Sequence, residues 1–195
     1  MARVPAAAHG LHAALEACGF RAIERLLTFE RALDDRAGDP LDGVRQARPD
    51  DAAACAAIAR VAFRFDRYHA DTRLDPAIGD ALKEAWVLND LGGRADASLV
   101  AVEGDRAVGF NLCLLAGDVA TIDLIAVAPG HQGRGIGRRL AEAGARHYAG
   151  RAHRYRAGTQ AANAASLALY RRLGFHVASE AVTYHWIPGS AESRR

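Results

Sequence analysis

The sequence predicts an α/β fold, one sheet with helices between its strands, and three observations carry that prediction. Apolar residues switch repeatedly between a two-residue and a 3.6-residue period, so strands and helices alternate along the chain. Two early strands, "SLVAVEG" (98–104) and "RAVGFNLCLLAG" (106–117), are joined at Gly104-Asp105 as a hairpin. A nearly all-apolar strand, "VATIDLIAVAP" (119–129), runs directly into a glycine-rich turn and a helix, as a central strand does.

The remaining elements follow in order. "GVRQA" (43–47) reads as a strand, and "RPDD" (48–51) starts an Ala/Ile helix, capped by Asp50 or Asp51 and running to about Phe63. The segment "FRFDRYHADTRL" (63–74) is dense in aromatic and basic residues. Pro76 opens a helix that carries Ile78, Leu82, Ala85 and Trp86 to about Leu88. After the glycine turn, Ile136, Leu140 and Ala143 share a helix face. "RYRAGTQ" (154–160) is a strand, and "NAASLALYRRLG" (163–174) is a helix with Asn163 as cap and Gly174 as left-handed stop. Two short strands, "FHVAS" (175–179) and "AVTYHWI" (181–187), close the chain. Near the start, "CGFRAIERLLTF" (18–29) shares with "LGFHVASEAVTY" (173–184) a Gly-Phe followed by Thr-aromatic. Residues 1–35 therefore read as a truncated copy of the C-terminal helix–strand–strand unit, 36–43 as a linker, 44–188 as the main domain and 189–195 as a disordered tail.

The chain has 195 residues and a net charge of +2, with half its residues hydrophobic. That suits one domain with an appendage and argues against a nucleic-acid protein, which concentrates basic charge on one face. Cys18, Cys55 and Cys113 form no paired framework and no metal-spaced cluster, so a reducing cytoplasm is expected, with no metal. No apolar run reaches the length of a membrane span, and no membrane insertion is expected.

"PGHQGRGIGRRL" (129–140) sets glycines and arginines where a strand meets a helix, the arrangement that offers free amides to a phosphate. Ile136 after Gly135 excludes the Walker loop, which requires lysine there. Arg138 stands where a dinucleotide fingerprint needs its third glycine, and no acidic residue lies near 155 for a ribose. What remains is Gln132-x-x-Gly135-x-Gly137. It resembles the acetyl-CoA loop of the GCN5-related N-acetyltransferase (GNAT) superfamily, and "LYRRLGF" (169–175), ending an Asn-opened helix, is similar to that superfamily's second signature. The resemblance covers residues 44–188. It implies a mixed, mostly antiparallel sheet splayed at an acetyl-CoA cleft, with the half-unit at 1–35 appended.

By that resemblance, Ile125, Ala126 and Val127 meet the pantetheine arm as an added strand does. Gln132, Gly133, Arg134, Gly135, Ile136, Gly137 and Arg138 hold the pyrophosphate, and Asn163 and Leu167 line the arm. Tyr170 falls between Leu167 and Leu173 on the buried arc of its helix, with Arg171 and Arg172 facing away; the superfamily places its proton donor there. Asp123 interrupts an apolar strand on the side of Thr121, Ile125 and Val127. It is either the acceptor of the amine's proton, directly or through water, or a cross-strand partner of Arg154 or Arg156. Arg64, Phe65, Tyr68 and His69 suit a nucleotide sugar, with a guanidinium for phosphate and rings for a base, and Gln160 and His185 join them as acceptor-side candidates. A narrower resemblance, in residues 158–175, "TIDLIAV", "FRFDRYH" and the N-terminal half-unit, is to acetyltransferases of the dTDP-fucosamine type. It implies transfer from acetyl-CoA to the amine of a nucleotide-linked sugar, by direct attack in a ternary complex of a cytoplasmic monomer or homodimer. The alternatives are a protein, peptide or small-amine acetyltransferase, and a CoA-binding regulatory module without turnover.

Overall fold

A computed structural model describes residues 1–34 and 38–188. The expected tail and residues 36–37 of the expected linker lie outside the described residues. The elements are β1 (Ala2–Pro5), α1 (His9–Ala17), β2 (Arg21–Ala32), β3 (Val44–Gln46), α2 (Ala52–Ala62), α3 (Arg67–Ala70), α4 (Pro76–Asn89), β4 (Ala97–Glu103), β5 (Arg106–Ala116), β6 (Val119–Val127), α5 (Ile136–His147), β7 (Arg154–Gln160), α6 (Ala164–Arg172) and β8 (His176–His185). The eight strands form one sheet in the order β1-β8-β2-β7-β6-β5-β4-β3. Every pairing is antiparallel except β6 with β7.

Each face of the sheet carries its own core. On one face α2 and α4 cover Val100, Phe110, Leu112, Leu124 and Ala126, with Cys55, Ile58 and Val87 between them. On the other face α5 and α6 cover Phe29, Ile122, Tyr155 and Ala157, with Tyr148, Tyr170 and Phe175. Asp51, the residue before α2, accepts from the Arg48 amide at 2.7 Å, which ties the turn 48–51 together, and is held by Arg45. Asn163 caps α6 by accepting from the Ser166 amide at 3.1 Å.

Two expectations fail. The buried positions of α4 are Gly79, Lys83 and Val87, whereas Ile78 and Leu82 face solvent. The reason is local: a Cβ at Gly79 would lie 2.5 Å from the His69 ring, so the helix seats its bare backbone against α3 and turns its aliphatic side chains outward. The closing pair of short strands is instead one strand, β8, whose register against β2 passes through residue 180 unbroken.

The N-terminal residues run strand–helix–strand rather than helix–strand–strand. Gly19 and Gly174, 155 positions apart, both take left-handed φ, +82° and +78°, after helices that match at the same spacing. The pairing follows that spacing too. β1 lies on β8 (Pro5 opposite Ala181) as β7 lies on β2 (Gln160 opposite Leu26), and β2 and β8 meet in the middle. β2 thus sits inside the sheet, between β7 and β8.

Candidate active site

β6 and β7 pair only from Val119–Ile122 against Arg154–Ala157. Beyond that point β6 runs to Val127 bonded only to β5, and β7 runs to Gln160 bonded only to β2. The sheet therefore opens into a wedge with an unpaired edge on each side.

The turn after β6 faces this wedge. Gly133 and Gly135 take φ of +76° and +75°, a conformation that side chains resist, and a Cβ at either would meet nothing within 4 Å. Backbone geometry, not crowding, requires glycine at both. Gly135 is the N-cap of α5, and the first bond into the helix runs from the Arg139 amide to the Gly135 carbonyl at 3.1 Å. The amides of Ile136, Gly137 and Arg138 consequently have no acceptor within the helix and stand at its positive end. Gln132 braces the turn by donating its side-chain amide to the Val127 carbonyl at 3.1 Å. The arginines are tethered: Arg134 to Glu103 at 2.8 Å, Arg138 to Glu142 at 2.8 Å, and Arg139 to the Asp42 carbonyl. His131 also faces Glu103, at 3.3 Å.

Tyr170 is 2% exposed, packed between Phe29 and Phe175 at ring distances of 5.6 and 5.4 Å. Its hydroxyl has no hydrogen-bonding partner among the described residues, and burial, followed by the nearby Cys113, raises it above the ordinary phenol range. It is therefore protonated at neutral pH. Leu167 packs, half-buried, against the same cluster.

Asp123 does not share a side with Ile125 and Val127, where unbroken alternation places it. Leu124 lies opposite Leu112 and Ile122 opposite Cys113, so Asp123 is the extra residue of a β-bulge. The bulge resets the alternation. Ile125 and Val127 point with Ile122 toward α5, while Asp123 points the other way, toward α4. Its partners are neither Arg154, which pairs with Asp118, nor Arg156, which pairs with Glu30. They are the Trp86 indole N–H at 2.9 Å and the Arg94 guanidinium at 2.5 Å. Arg94 also holds Asp90, a buried carboxyl that desolvation raises above its usual range even against that cation.

The 63–74 segment folds over this face, with Asp66 capping α3. His69 is clamped between Asp66 and Asp80, at 3.0 Å from each, and Arg64 binds the same Asp80 at 2.8 Å. Tyr68 lies 6.4 Å from the His185 ring and is covered by the Arg67 guanidinium. His185 is buried and bonded to Asp71 at 2.8 Å. Phe65 is exposed. The sequence reading passed over four groups on this face. Trp86 and Arg94 hold Asp123. Lys83, the one lysine in the chain, is 8% exposed, with its Nζ 4.9 Å from the Phe63 ring and 4.6 Å from that of Trp86. Glu24, also 8% exposed, accepts from the Gln160 amide and the Thr183 hydroxyl, each at 3.1 Å. The solitary lysine in an arginine-rich chain was the available signal. Glu24 had none, since its partners are distant in sequence, and the four-residue spacing of Arg94 from Asp90 does not point to Asp123.

The sheet thus holds a wedge, with free helix-terminal amides after its β6 side and a buried tyrosine in the adjoining core. The model of the Acetyltransferase (GNAT) family matches residues 53–175, and the chain belongs to that family. It is 32% identical over 142 residues to the spore coat polysaccharide biosynthesis protein SpsD of Bacillus subtilis (strain 168). That match covers 72% of this chain and 49% of SpsD, so the chain spans about half the length of that relative. Among solved structures it is similar to a GCN5-related N-acetyltransferase from Sphaerobacter thermophilus (TM-score 0.64, 22% identity, 93% of this chain and 57% of that one). It is also similar to a tandem GNAT protein from the clavulanic acid biosynthesis pathway (TM-score 0.58, 14% identity, 93% and 59%). No helix among the described residues is long and apolar enough to cross a membrane, and no group of three or more His, Cys, Asp or Glu there is arranged to hold a metal.

Proposed function

We propose that the protein transfers the acetyl group of acetyl-CoA to a primary amine of a nucleotide-linked amino sugar, by direct attack in a ternary complex in the cytoplasm. The observation that carries the reading is the wedge: β6 and β7 part after Ile122 and Ala157, β6 runs on to the turn before the amides of residues 136–138, and Tyr170 packs in the same core cluster as Ile122 and Ala157. In this reading the loop amides take the pyrophosphate, and the free edge of β6 at Ile125–Val127 takes the amides of the pantetheine arm. Asn163 and Leu167 border the arm, and Tyr170 gives its proton to the departing sulfur. Direct attack is supported by the thiols: burial pushes Cys55 and Cys113 up to about 12, so neither offers a thiolate at neutral pH.

The sugar is supported by the similarity to SpsD, a polysaccharide biosynthesis protein by name. Phe65, Tyr68 and His185 are the rings left to meet the nucleotide or sugar, whereas Arg64 and His69 act by fixing α3 on α4. Residues 1–35, linker 36–43 and domain 44–188 are proposed as half-unit, connector and catalytic unit. Free-thiol release from acetyl-CoA, measured with nucleotide-linked amino sugars, free amino sugars, peptides and polyamines, tests the acceptor. Turnover confined to nucleotide sugars is the expected result. A preference for peptides overturns the sugar, and release with none of these amines overturns catalysis.

A further inference from the structure

Two carboxylates stand on the α4 face where the wedge opens, and they are not equivalent. Asp123 accepts from the Arg94 guanidinium and the Trp86 indole, so its charge is already matched by a directly bonded cation. Glu24 is held chiefly by neutral donors, the Gln160 amide on one oxygen and the Thr183 hydroxyl on the other. Its nearest cation, Arg3 on β1, stands 3.7 Å away on a side chain 41% exposed. A carboxylate offers about four acceptor positions, and the two neutral donors leave others open.

The placement is specific. Ile23 is an extra residue in β2 where it pairs with β8, and Ala178 is the matching extra residue in β8, again 155 positions on. The position that matches Glu24 is Ser179, which is exposed. The paired segments thus carry a buried carboxylate only beside Gln160, the end of the splayed strand. Leu27, Phe29, Tyr155 and Ala157 pack on the opposite face, with Tyr170. By alternation Glu24 and Gln160 point to the face of α3 and α4. Acid and acceptor-side carboxylate therefore lie on opposite faces of the gap.

We propose that Glu24 receives the acceptor's ammonium group and takes its proton, so that the N-terminal residues 1–35 complete the active site. The inference rests on the acetyl-transfer reading and is independent of which amine is used. The acceptor ammonium gives one proton to the Glu24 carboxylate. The freed lone pair forms the N–C bond to the thioester carbon, and the C–S bond breaks with its electron pair on sulfur. Tyr170 gives its hydroxyl proton to that sulfur and regains one from the acylated nitrogen. Glu24 then releases its proton to water, so one amide, one thiol and one proton result. Lys83 on α4 stands in the field of Glu24, Asp66 and Asp123, with Arg67 also near, and has no hydrogen-bonding partner among the described residues. The Lys83 charge lowers the proton affinity of an ammonium held beside it, which favours passage of the proton to Glu24.

The test is Glu24→Gln, assayed with any amine the wild-type protein acetylates. At pH 7 kcat/KM falls about 100-fold, the Kd for CoA by calorimetry stays within twofold, and the deficit shrinks to under about fivefold at a pH above the amine's own pKa. A loss under threefold at pH 7, or one that is constant across pH, overturns the proposal. Asp123→Asn provides the second arm and does not depend on the first variant folding. It keeps the acid limb of the wild-type pH profile; loss of that limb in Asp123→Asn assigns the proton to Asp123 and overturns Glu24. Failure of every nucleotide sugar as acceptor would count against the sugar reading alone.

Discussion

On the loop side of the wedge the protein presents main chain: amides at the head of α5 and an open edge of β6. On the α4 side it presents charged side chains, nearly all held in pairs. The two walls differ in what they depend on. A backbone site needs φ and ψ to be right and is nearly indifferent to the arginines around it, which are tied to Glu103 and Glu142. A side-chain site needs its partners, because each buried charge stranded by a deletion is costly.

The contrast can be broken at several points. Arg94→Met strands Asp90 and Asp123 together, and we expect about 3 kcal/mol loss of stability in urea unfolding, with part of it recovered by adding Asp90→Asn. Tyr170→Phe keeps the ring packing and removes only the hydroxyl. We expect a kcat loss of about 100-fold with CoA affinity unchanged by calorimetry; unchanged turnover would remove the proton donor from the scheme. Asp71→Asn tests the wall's pH behaviour. Arg73 first, with His185, holds the Asp71 carboxyl below its ordinary value. The wild-type contribution is therefore complete above about pH 4 and fades as pH falls below it. The variant should be about 2 kcal/mol less stable at pH 7 and converge on wild type in acid, as followed by thermal melts along a pH series. Gly135→Ala meets no steric obstacle and acts through left-handed strain alone. We expect CoA binding to weaken about tenfold, as measured by calorimetry.

The loop wall was legible for the reason that makes it tolerant. Gly133, Gly135 and Gly174 sit at positive φ because few other residues can, and Asn163 caps because its side chain reaches the next turn, so both signals are local. The other wall was legible only in outline. The segment 63–74 stood out, yet His69 clamps two aspartates, a role that depends on Gly79 ten residues on. The face of α4 was misjudged because Ile78 and Leu82 follow a helical period while facing solvent. The side of Asp123 was misjudged because one inserted residue inverts a two-residue alternation and leaves no mark in composition. Glu24 finds Gln160 and Thr183 more than 130 residues away, a distance no periodicity reports.

The position of β2 has a consequence for how the molecule is assembled. β2 is flanked by β7 and β8, which follow it by more than 120 residues, so its ladder bonds cannot form until those two strands have left the ribosome. Until then residues 21–32 must wait as an unpaired ribbon carrying Ile23, Leu26, Leu27 and Phe29. Closing so wide a loop is slow, and a chain halted before Gln160 would expose that ribbon to its neighbours. The ribbon is therefore most vulnerable between the emergence of Ala32 and that of residues 154–185, whatever the stability of the finished sheet.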